Sequence, residues 1–215
     1  RKLLNVAVEP DQEQVAQSLK VTDIAKAERS EIVEMLLQSG LWTRIVERPF
    51  GVIANPDATP KAIFVSAFDS APLAPDYNFI LKEEKAAVEA GMAVLARLTD
   101  GKVHLSARQG AEGYMAEVKG VEYHTFSGKH PVGNVGVQIH HIDRIAKGDI
   151  VWTVNIQDVA MIGRSVLAGK VDMSKTIAVA GTKAPKCGYK RIISGAAVES
   201  IVGKVGADTR VISGD

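Results

Sequence analysis

Short apolar runs alternate with amphipathic helical segments along most of the chain, and this alternation limits the fold more than any other feature of the sequence. Residues 61–69, 102–107 and 121–126 are compact runs of the kind that form strands. Between the first two runs, a helix over residues 80–100 is predicted from apolar residues that recur on one face: Leu81, Val88, Met92, Leu95 and Leu98. Strands that alternate with helices predict a parallel, doubly wound α/β sheet.

Further elements are predicted before and after this central part. A helix begins near the N-cap candidate Ser30 and ends at Gly40, and a second helix follows Val135, with Ile139 and Ile142 at helical spacing. Residues 150–169 are typical of a strand that leads into a helix stopped by a glycine.

The two ends of the chain do not follow this alternation of strands and helices. Residues 3–10 predict a strand that belongs to a domain lying mostly upstream, since the following stretch is polar and irregular. After Lys170, residues 176–180 and 189–193 predict two short strands around a Pro/Gly turn, followed by a short helix. We therefore expect a small α+β unit there, and we expect the chain to be a piece of a longer protein.

Composition excludes several classes of protein. The 26 Lys and Arg residues nearly balance the 25 Asp and Glu residues, so net charge gives no reason to expect binding to nucleic acid or to an anionic membrane. A single cysteine, Cys187, excludes an intrachain disulfide and an all-cysteine metal site, and we expect it to be a loop thiol. No apolar run approaches the ~20 residues of a membrane helix, so the chain is expected to be soluble.

The glycine- and histidine-rich segment over residues 126–143 is a candidate for a phosphate or metal site. Gly128 and Gly133 have the spacing of a Walker A loop, but Asn134 and Val135 stand where lysine and Ser/Thr are required. His140 and His141 are adjacent, so their side chains diverge by ~100° on a helix, and one is expected to be half-buried and the other solvated. No G-x-S-x-G elbow occurs, and Glu83 and Glu84 are interpreted as solvated. We therefore predict no catalytic residue and no metal site.

The segment over residues 39–51 is the strongest candidate for a contact surface. It joins a helix to a strand and combines the aromatic residues Trp42 and Phe50 with the cations Arg44 and Arg48. An exposed loop of this composition is typical of a surface that contacts a flat ligand or a protein partner. The alternative is that Trp42 and Phe50 fill the edge of the domain.

Five blocks of sequence resemble, in family order, the A subunit of the sodium-translocating NADH:quinone oxidoreductase. These blocks are LLQSGLWTRIVERPF, KAIFVSAFDSAPLAPD, FSGKHPVGNVGVQIHHID, VWTVNIQDVAMIGRSVLAGKV and AVAGTKAPKCGYKRIISGA. The resemblance implies three parts. Residues 1–28 would be the end of an upstream barrel-sandwich domain and a linker, residues 29–170 would form a Rossmann-like α/β domain, and residues 171–215 would begin a β-grasp domain of the soluble-ligand-binding type.

The same family is similar to the flavin subunit of respiratory complex I and to the C subunit of the Rnf complex. In those relatives a glycine-rich loop grips FMN and NADH, whereas the corresponding residues 40–50 have lost those glycines. Ile45, Val46 and Glu47 would block or repel a flavin phosphate. The resemblance therefore implies a scaffold that binds no cofactor itself, while NADH, flavins, an iron–sulfur centre and ubiquinone are bound in or with other subunits.

The implied function is that of a peripheral subunit on the cytoplasmic side of the bacterial inner membrane, in a complex that oxidises NADH, reduces ubiquinone and exports sodium. Its partners would be the other subunits, including membrane subunits, and ubiquinone, with no nucleic acid. Quinone binding is assigned to Trp42, Arg44, Arg48 and Phe50, with a second choice at the histidines His130, His140 and His141. Two alternatives remain: an FMN- and NADH-binding electron-transfer subunit, and a purely structural adaptor.

Overall fold

A mixed six-stranded sheet with helices on both faces forms the body of the protein. The computed structural model describes residues 6–9, 13, 15–20, 23–111 and 113–214. The helices are α1 (Arg29–Gln38), α2 (Tyr77–Ile80), α3 (Lys85–Ala96), α4 (Val135–Ile142), α5 (Ile156–Ala168) and α6 (Val198–Val202). The strands are β1 (Val46–Arg48), β2 (Val52–Ile53), β3 (Ala62–Ser66), β4 (Lys102–Arg108), β5 (Glu122–Phe126), β6 (Val151–Asn155), β7 (Ser174–Val179) and β8 (Gly188–Ile193).

The order of strands in the large sheet is β2-β1-β6-β3-β4-β5. Strands β6, β3, β4 and β5 are parallel, as the alternation of strands and helices predicts, whereas β1 pairs antiparallel with both β6 and β2. After β3 the chain moves to β4 and β5, and it then returns to the opposite side of β3 as β6. The carboxyl ends of β3 and β6 therefore flank the point where the strand order reverses, which is where doubly wound sheets bind ligands.

The two faces of the sheet have separate cores because side chains alternate along each strand. Ile63 and Val65 of β3 lie in the larger core, which also contains the apolar faces of α1, α3 and α5. Phe64, one residue out of phase, lies in the smaller core with Ile139 of α4. Helices on both faces confirm the doubly wound α/β class.

Three predictions about individual elements are wrong. Residues 6–9 form no strand, and Val6 and Val8 are exposed, because no neighbouring strand covers them in the described part of the chain. Residues 3–5 and 10, which belong to the same predicted strand, lie outside the described residues. Helix α1 begins after Glu28, not Ser30, since the Glu28 amide donates to the Glu31 carboxylate at 2.8 Å.

The predicted long helix over residues 80–100 is also wrong at both ends. Asp76 caps the separate one-turn helix α2 by accepting from the amides of Asn78 and Phe79. A turn then precedes α3. The apolar face is nevertheless as predicted, since its five residues are all buried: Leu81, Val88, Met92, Leu95 and Leu98.

Strands β7 and β8 form a separate two-stranded sheet, and β7 contacts α5. The Gln157 side chain makes two hydrogen bonds to the backbone of Thr176 in β7, as a neighbouring strand would. Its Nε2 donates to the Thr176 carbonyl at 3.0 Å, and its Oε1 accepts from the Thr176 backbone N–H at 3.0 Å. Glu84, predicted to be solvated, is instead largely covered by its ion pair with Arg164. Cys187 is an exposed free thiol in the turn between the two strands, as predicted.

Candidate functional site

A cavity of about 260 Å³ opens at the carboxyl ends of β3 and β6. Ser66 and Asn155, the last residues of these two strands, both line it. The other lining residues come from loops and helices that meet at this edge: Arg44, Val46, Phe68, Asp69, Tyr77, Gly133, Val135, Thr153, Val154 and Asp158. The cavity therefore occupies the position where a doubly wound fold places its ligand.

Two charged side chains in this cavity have atoms without a partner. The Arg44 Nε and the Asp158 Oδ1 are buried and make no hydrogen bond. Arg44 ends a 3-10 helix over Leu41–Arg44, which is held in place because Leu41 and Ile45 are fully buried. Asp158 lies in the first turn of α5, where Asn155 caps the helix by accepting from the Gln157 amide at 2.9 Å.

Burial has the largest effect on the pKa of Asp158 in this site. It raises the pKa of the Asp158 carboxyl above its ordinary value, while the positive charges of Lys175 and Arg44 oppose the shift. A carboxyl group with a raised pKa keeps its proton to higher pH than usual. Asp158 can therefore act as a hydrogen-bond donor while its carboxyl is protonated and as an acceptor once it is ionised.

The rim of the cavity is held by close packing between two loops. A Cβ atom on Gly133 would lie 2.4 Å from the Ser70 backbone nitrogen, so only glycine fits there. The Gly133 amide donates to the Ser70 hydroxyl at 2.8 Å, and the buried Gln138 amide donates to the Ser66 hydroxyl at 2.9 Å. Gly133 of the glycine-rich segment thus has a packing role at this edge.

A second cavity of about 350 Å³ lies beside the first and shares Phe68, Asp69 and Tyr77 with it. It extends along the loop that follows β3 and reaches Arg108, the last residue of β4. The two cavities together form a continuous set of lining residues along the carboxyl edge of the sheet.

The structure corrects the expectation that Trp42 is exposed. Trp42 is 3% exposed, its indole N–H donates to the Ala54 carbonyl at 2.7 Å, and its ring meets that of Trp152 edge-on at 5.4 Å. Trp42 thus belongs to the core, which is the alternative interpretation of this loop. Phe50, in contrast, is 71% exposed.

The four residues predicted for quinone binding do not converge. Arg44 lines the cavity at the carboxyl ends of β3 and β6. Arg48 pairs with Val151, the first residue of β6, and so lies at the opposite end of β1 with Phe50 beyond it. The sequence places Arg44 and Arg48 only four residues apart, but an intervening strand carries them to opposite edges of the sheet.

The three predicted histidines are separated as well. His130 lies near the second cavity, where its Nδ1 is 3.1 Å from the hydroxyl of Ser70. His140 and His141 lie in the last turn of α4 with their rings 5.3 Å apart, and both are exposed. The expectation that one of them is half-buried is wrong, since α4 packs on the sheet through Ile139 instead.

Several polar residues at or near the sheet were not identified from the sequence. Asp69, Tyr77 and Asp158 line the cavity, and a signal for Asp69 and Asp158 was present because each follows the carboxyl end of a predicted strand. A pair of histidines, His104 of β4 and His124 of β5, lies elsewhere on the sheet with Nδ1 and Nε2 3.0 Å apart. Adjacent strands bring this pair together, so sequence spacing gives no sign of it.

Metal-binding clusters and membrane-spanning helices are both absent from the part of the chain that the structure describes. No group of three or more His, Cys, Asp or Glu side chains among these residues is arranged to hold a metal ion. Within the same residues, no helix is long and apolar enough to cross a membrane.

Comparisons with solved structures show the fold. The NAD+-reducing [NiFe]-hydrogenase in its air-oxidised state matches with a TM-score of 0.56 and 15% sequence identity, over 81% of this chain and 38% of the hydrogenase chain. At this identity the match supports the α/β architecture alone.

Comparisons of sequence are more specific. Two relatives, from Neisseria gonorrhoeae (strain NCCP11945) and Serratia proteamaculans (strain 568), are each named as the A subunit of the Na(+)-translocating NADH-quinone reductase. The first is 38% identical over 211 residues, which is 97% of this chain and 47% of the relative. The second is 41% identical over 196 residues, 90% of this chain and 44% of the relative. The chain thus spans about half the length of these relatives.

A family model described as the NqrA second alpha/beta domain matches residues 27–171. This match includes the six-stranded sheet, the 3-10 helix that positions Arg44 and the helix that carries Asp158. The chain therefore belongs to the NqrA family.

Proposed function

We propose that this chain is part of a peripheral subunit of a sodium-translocating NADH:ubiquinone reductase at the cytoplasmic side of the bacterial inner membrane. In this role it helps to bind ubiquinone and to assemble the complex, and it binds no flavin. The names of the relatives, which specify a Na(+)-translocating NADH-quinone reductase, support the proposal. The chemistry of the cavity beside Arg44 supports its ubiquinone part.

The size and lining of the cavity suit one quinone ring. Its volume of about 260 Å³ lies just below the roughly 300–1,000 Å³ that ligand pockets occupy, which suits a single ring. Phe68, Val135 and Val154 supply apolar surface. A quinone needs such an apolar slot, in which the protein places hydrogen-bond donors only next to the two carbonyl oxygens of the quinone.

The unpartnered polar atoms of Arg44 and Asp158 are the observation that carries the proposal. A buried donor or acceptor without a partner costs roughly 1–3 kcal/mol, so a ligand that satisfies both atoms regains that free energy. The Arg44 Nε–H can donate to one carbonyl oxygen of a quinone. The Asp158 carboxyl, when protonated, can donate to the other.

Two features argue for a neutral ligand rather than a flavin or a dinucleotide. The loop that would grip a flavin phosphate is folded on itself, since the Thr43 amide donates to the Gly40 carbonyl and the Ile45 amide donates to the Trp42 carbonyl. In addition, the Asp69 carboxylate lines the cavity. A carboxylate repels phosphate groups.

The assembly role is supported by an apolar edge of the sheet. Phe50, Val52 and Ile53 are all more than half exposed, and β2 lies at one end of the strand order. An edge strand with exposed apolar side chains is a surface that proteins normally cover. Another subunit of the complex would cover it.

The test is calorimetric titration of the chain with tail-less ubiquinone, the dimethoxy-methyl benzoquinone ring alone. Arg44→Met keeps an apolar stem but removes the donor, and we expect the affinity to fall by about tenfold or more, since a hydrogen bond to a charged group contributes ~1.5–3 kcal/mol. Arg48→Met is the matched control at the other end of β1 and should bind as the wild type does.

Three results would contradict the proposal. A larger loss in the Arg48→Met variant than in the Arg44→Met variant would move the quinone to the opposite edge of the sheet. A wild-type chain that binds no quinone, but still assembles with the other subunits, would favour the adaptor role. A yellow chain with a flavin absorption band would favour the flavoprotein role.

A further inference from the structure

The cavity beside β3 and β6 contains one group that only donates and one group that can also accept. A guanidinium has no hydrogen-bond acceptor, so the unpartnered Arg44 Nε–H only donates. Asp158 has a buried Oδ1 without a partner, and its carboxyl donates when protonated and only accepts when ionised. The pattern of donors and acceptors in the cavity therefore changes with the protonation of a single side chain.

The two redox forms of a quinone differ in the same property. The oxidised ring offers two carbonyl oxygens, which only accept hydrogen bonds. The reduced ring, the quinol, offers two hydroxyl groups, which can both donate and accept. An ionised carboxylate facing a quinone carbonyl leaves two acceptors opposed, whereas the same carboxylate facing a quinol hydroxyl forms a charge-assisted hydrogen bond.

We infer that Asp158 makes this cavity select between the two redox forms of a quinone, binding the oxidised ring when its carboxyl is protonated and the quinol when it is ionised. This inference rests on the proposed function, and it names Asp158 as a specificity-determining residue of the same site. Arg44 donates to an oxygen atom of the ring in both states and does not discriminate.

Charged and titratable groups from several elements surround Asp158. Arg44 faces it from the 3-10 helix and Lys175 faces it from β7, and both cations favour the ionised form. Asp69, from the loop after β3, and Tyr77 of α2 line the same cavity. Burial outweighs the two cations and raises the pKa of Asp158.

The sign of the pH dependence follows from linkage. Below the pKa of Asp158 the carboxyl is protonated, so the oxidised ring binds with its full affinity. As the pH rises through that pKa the affinity for the oxidised ring falls, by up to about tenfold per pH unit if binding requires the proton. The affinity for the quinol does not fall over the same range, because the ionised carboxylate accepts its hydroxyl.

The experiment is calorimetric titration of the chain with tail-less ubiquinone and, under anaerobic conditions, with its quinol, at a series of pH values around the midpoint of Asp158. The key variant is Asp158→Asn, which is similar in size and keeps a donor but cannot ionise. We expect it to bind the oxidised ring with an affinity that no longer depends on pH. Asp57→Asn, at an exposed position that does not line the cavity, is the matched control and should keep the wild-type pH dependence.

The outcomes separate this inference from the proposed function. Binding of both redox forms with the same pH dependence in the wild type, or an unchanged pH dependence in the Asp158→Asn variant, overturns the inference and leaves quinone binding intact. Failure of the wild type to bind either form overturns both.

A measurement on the wild type avoids reliance on the variant's folding. The Asp158 carboxyl can be titrated by carbon NMR in the free chain and in the two complexes. We expect the oxidised ring to raise its pKa further and the quinol to lower it. Equal values in the two complexes would contradict the inference.

Discussion

At the scale of single residues, two glycines set the distance between α3 and α5. A Cβ atom on Gly163 of α5 would lie 1.7 Å from the Ala87 carbonyl oxygen, and one on Gly91 of α3 would lie 2.1 Å from the Val159 carbonyl oxygen. Both obstacles are backbone atoms, which cannot move aside as a flexible side chain can. The two helices thus approach each other along a seam where only hydrogen atoms fit.

We therefore predict that Gly163→Ala destabilises the protein by about 3 kcal/mol, the upper part of the range for overpacked cores. The free energy of unfolding in urea would measure this. Gly136→Ala in α4 is the matched control, because nothing lies within 4 Å of its Cβ position. Alanine should stabilise that helix by about 0.5–1 kcal/mol. Equal effects of the two substitutions would exclude close packing as the cause.

Of the two charged residues with unpartnered atoms in the cavity, Arg44 and Asp158, only Arg44 was selected from the sequence. Arg44 was a candidate because it lies in an aromatic and arginine-rich segment, but the same reasoning selected Trp42, which is buried in the core. Asp158 was not selected, although it follows the carboxyl end of a predicted strand, since a carboxylate in the first turn of a helix is a common stabilising feature. Its significance depends on Arg44, which lies more than a hundred positions away in the sequence.

At the scale of elements, the alternation of apolar runs predicted the four parallel strands, because each is a continuous run that is distinct from the helical segments around it. The sequence could not predict β1 and β2 in the same way. These strands are three and two residues long, too short for a periodicity. They are defined by tertiary pairing instead, since β1 pairs with β6 and β2 pairs with β1. The boundary between α2 and α3 was missed for a related reason, since the apolar face continues across the turn.

The pair of histidines on β4 and β5 gives the sheet a dependence on pH. His104 stacks on Phe64 with ring centroids 4.6 Å apart, and its Nδ1 lies 3.0 Å from the Nε2 of His124. Burial lowers the pKa of both histidines, and the nearby His124 lowers that of His104 further, against the opposing effect of Glu122. Both rings therefore stay neutral in the folded protein at pH values where the unfolded chain binds protons.

Since these pKa values are lowered in the folded state, the stability they contribute is present above pH ~6.5, the ordinary histidine value. It is lost as the pH falls toward the lowered values, by at most about 1.4 kcal/mol per pH unit for each histidine. His104→Phe, which can still stack on Phe64, should reduce this slope in urea unfolding between neutral and mildly acidic pH. His140→Gln, at an exposed position, should keep it, and an unchanged slope in both variants would exclude His104 as its source.

At the scale of the whole molecule, an ion-pair network joins the large sheet domain to the β7–β8 sheet. The Arg164 side chain of α5 is 17% exposed, pairs with Glu84 at the start of α3 and donates to Asp172 at 3.1 Å. Arg191 of β8 reaches the same Glu84 at 3.3 Å and donates to the Ser174 hydroxyl at 2.8 Å. Ion pairs therefore link the parts of the chain on either side of the predicted domain boundary near Lys170. The boundary itself remains a prediction.

This junction also bears on the cavity, because Lys175 of β7 is one of the two cations that act on Asp158. The electrostatics of the site therefore depend on how β7 is held against α5. The sequence predicted both units, but it could not show that a residue of the second unit influences a carboxyl group of the first. Such a relation arises only when the two sheets pack together.

Arg164→Met should loosen the β7–β8 sheet without unfolding the large one, because the Gln157 contact to Thr176 remains. We expect amide hydrogen exchange in β7 and β8 to become about tenfold faster, the effect of losing roughly 1.4 kcal/mol of local stability, while exchange in β3 and β4 is unchanged. Lys102→Met, which breaks an exposed ion pair with Glu122, is the control and should not affect β7 and β8, since exposed pairs contribute little. Unchanged exchange in both variants would mean that Gln157 and apolar packing hold the second sheet, and that the position of Lys175 does not depend on the ion pairs.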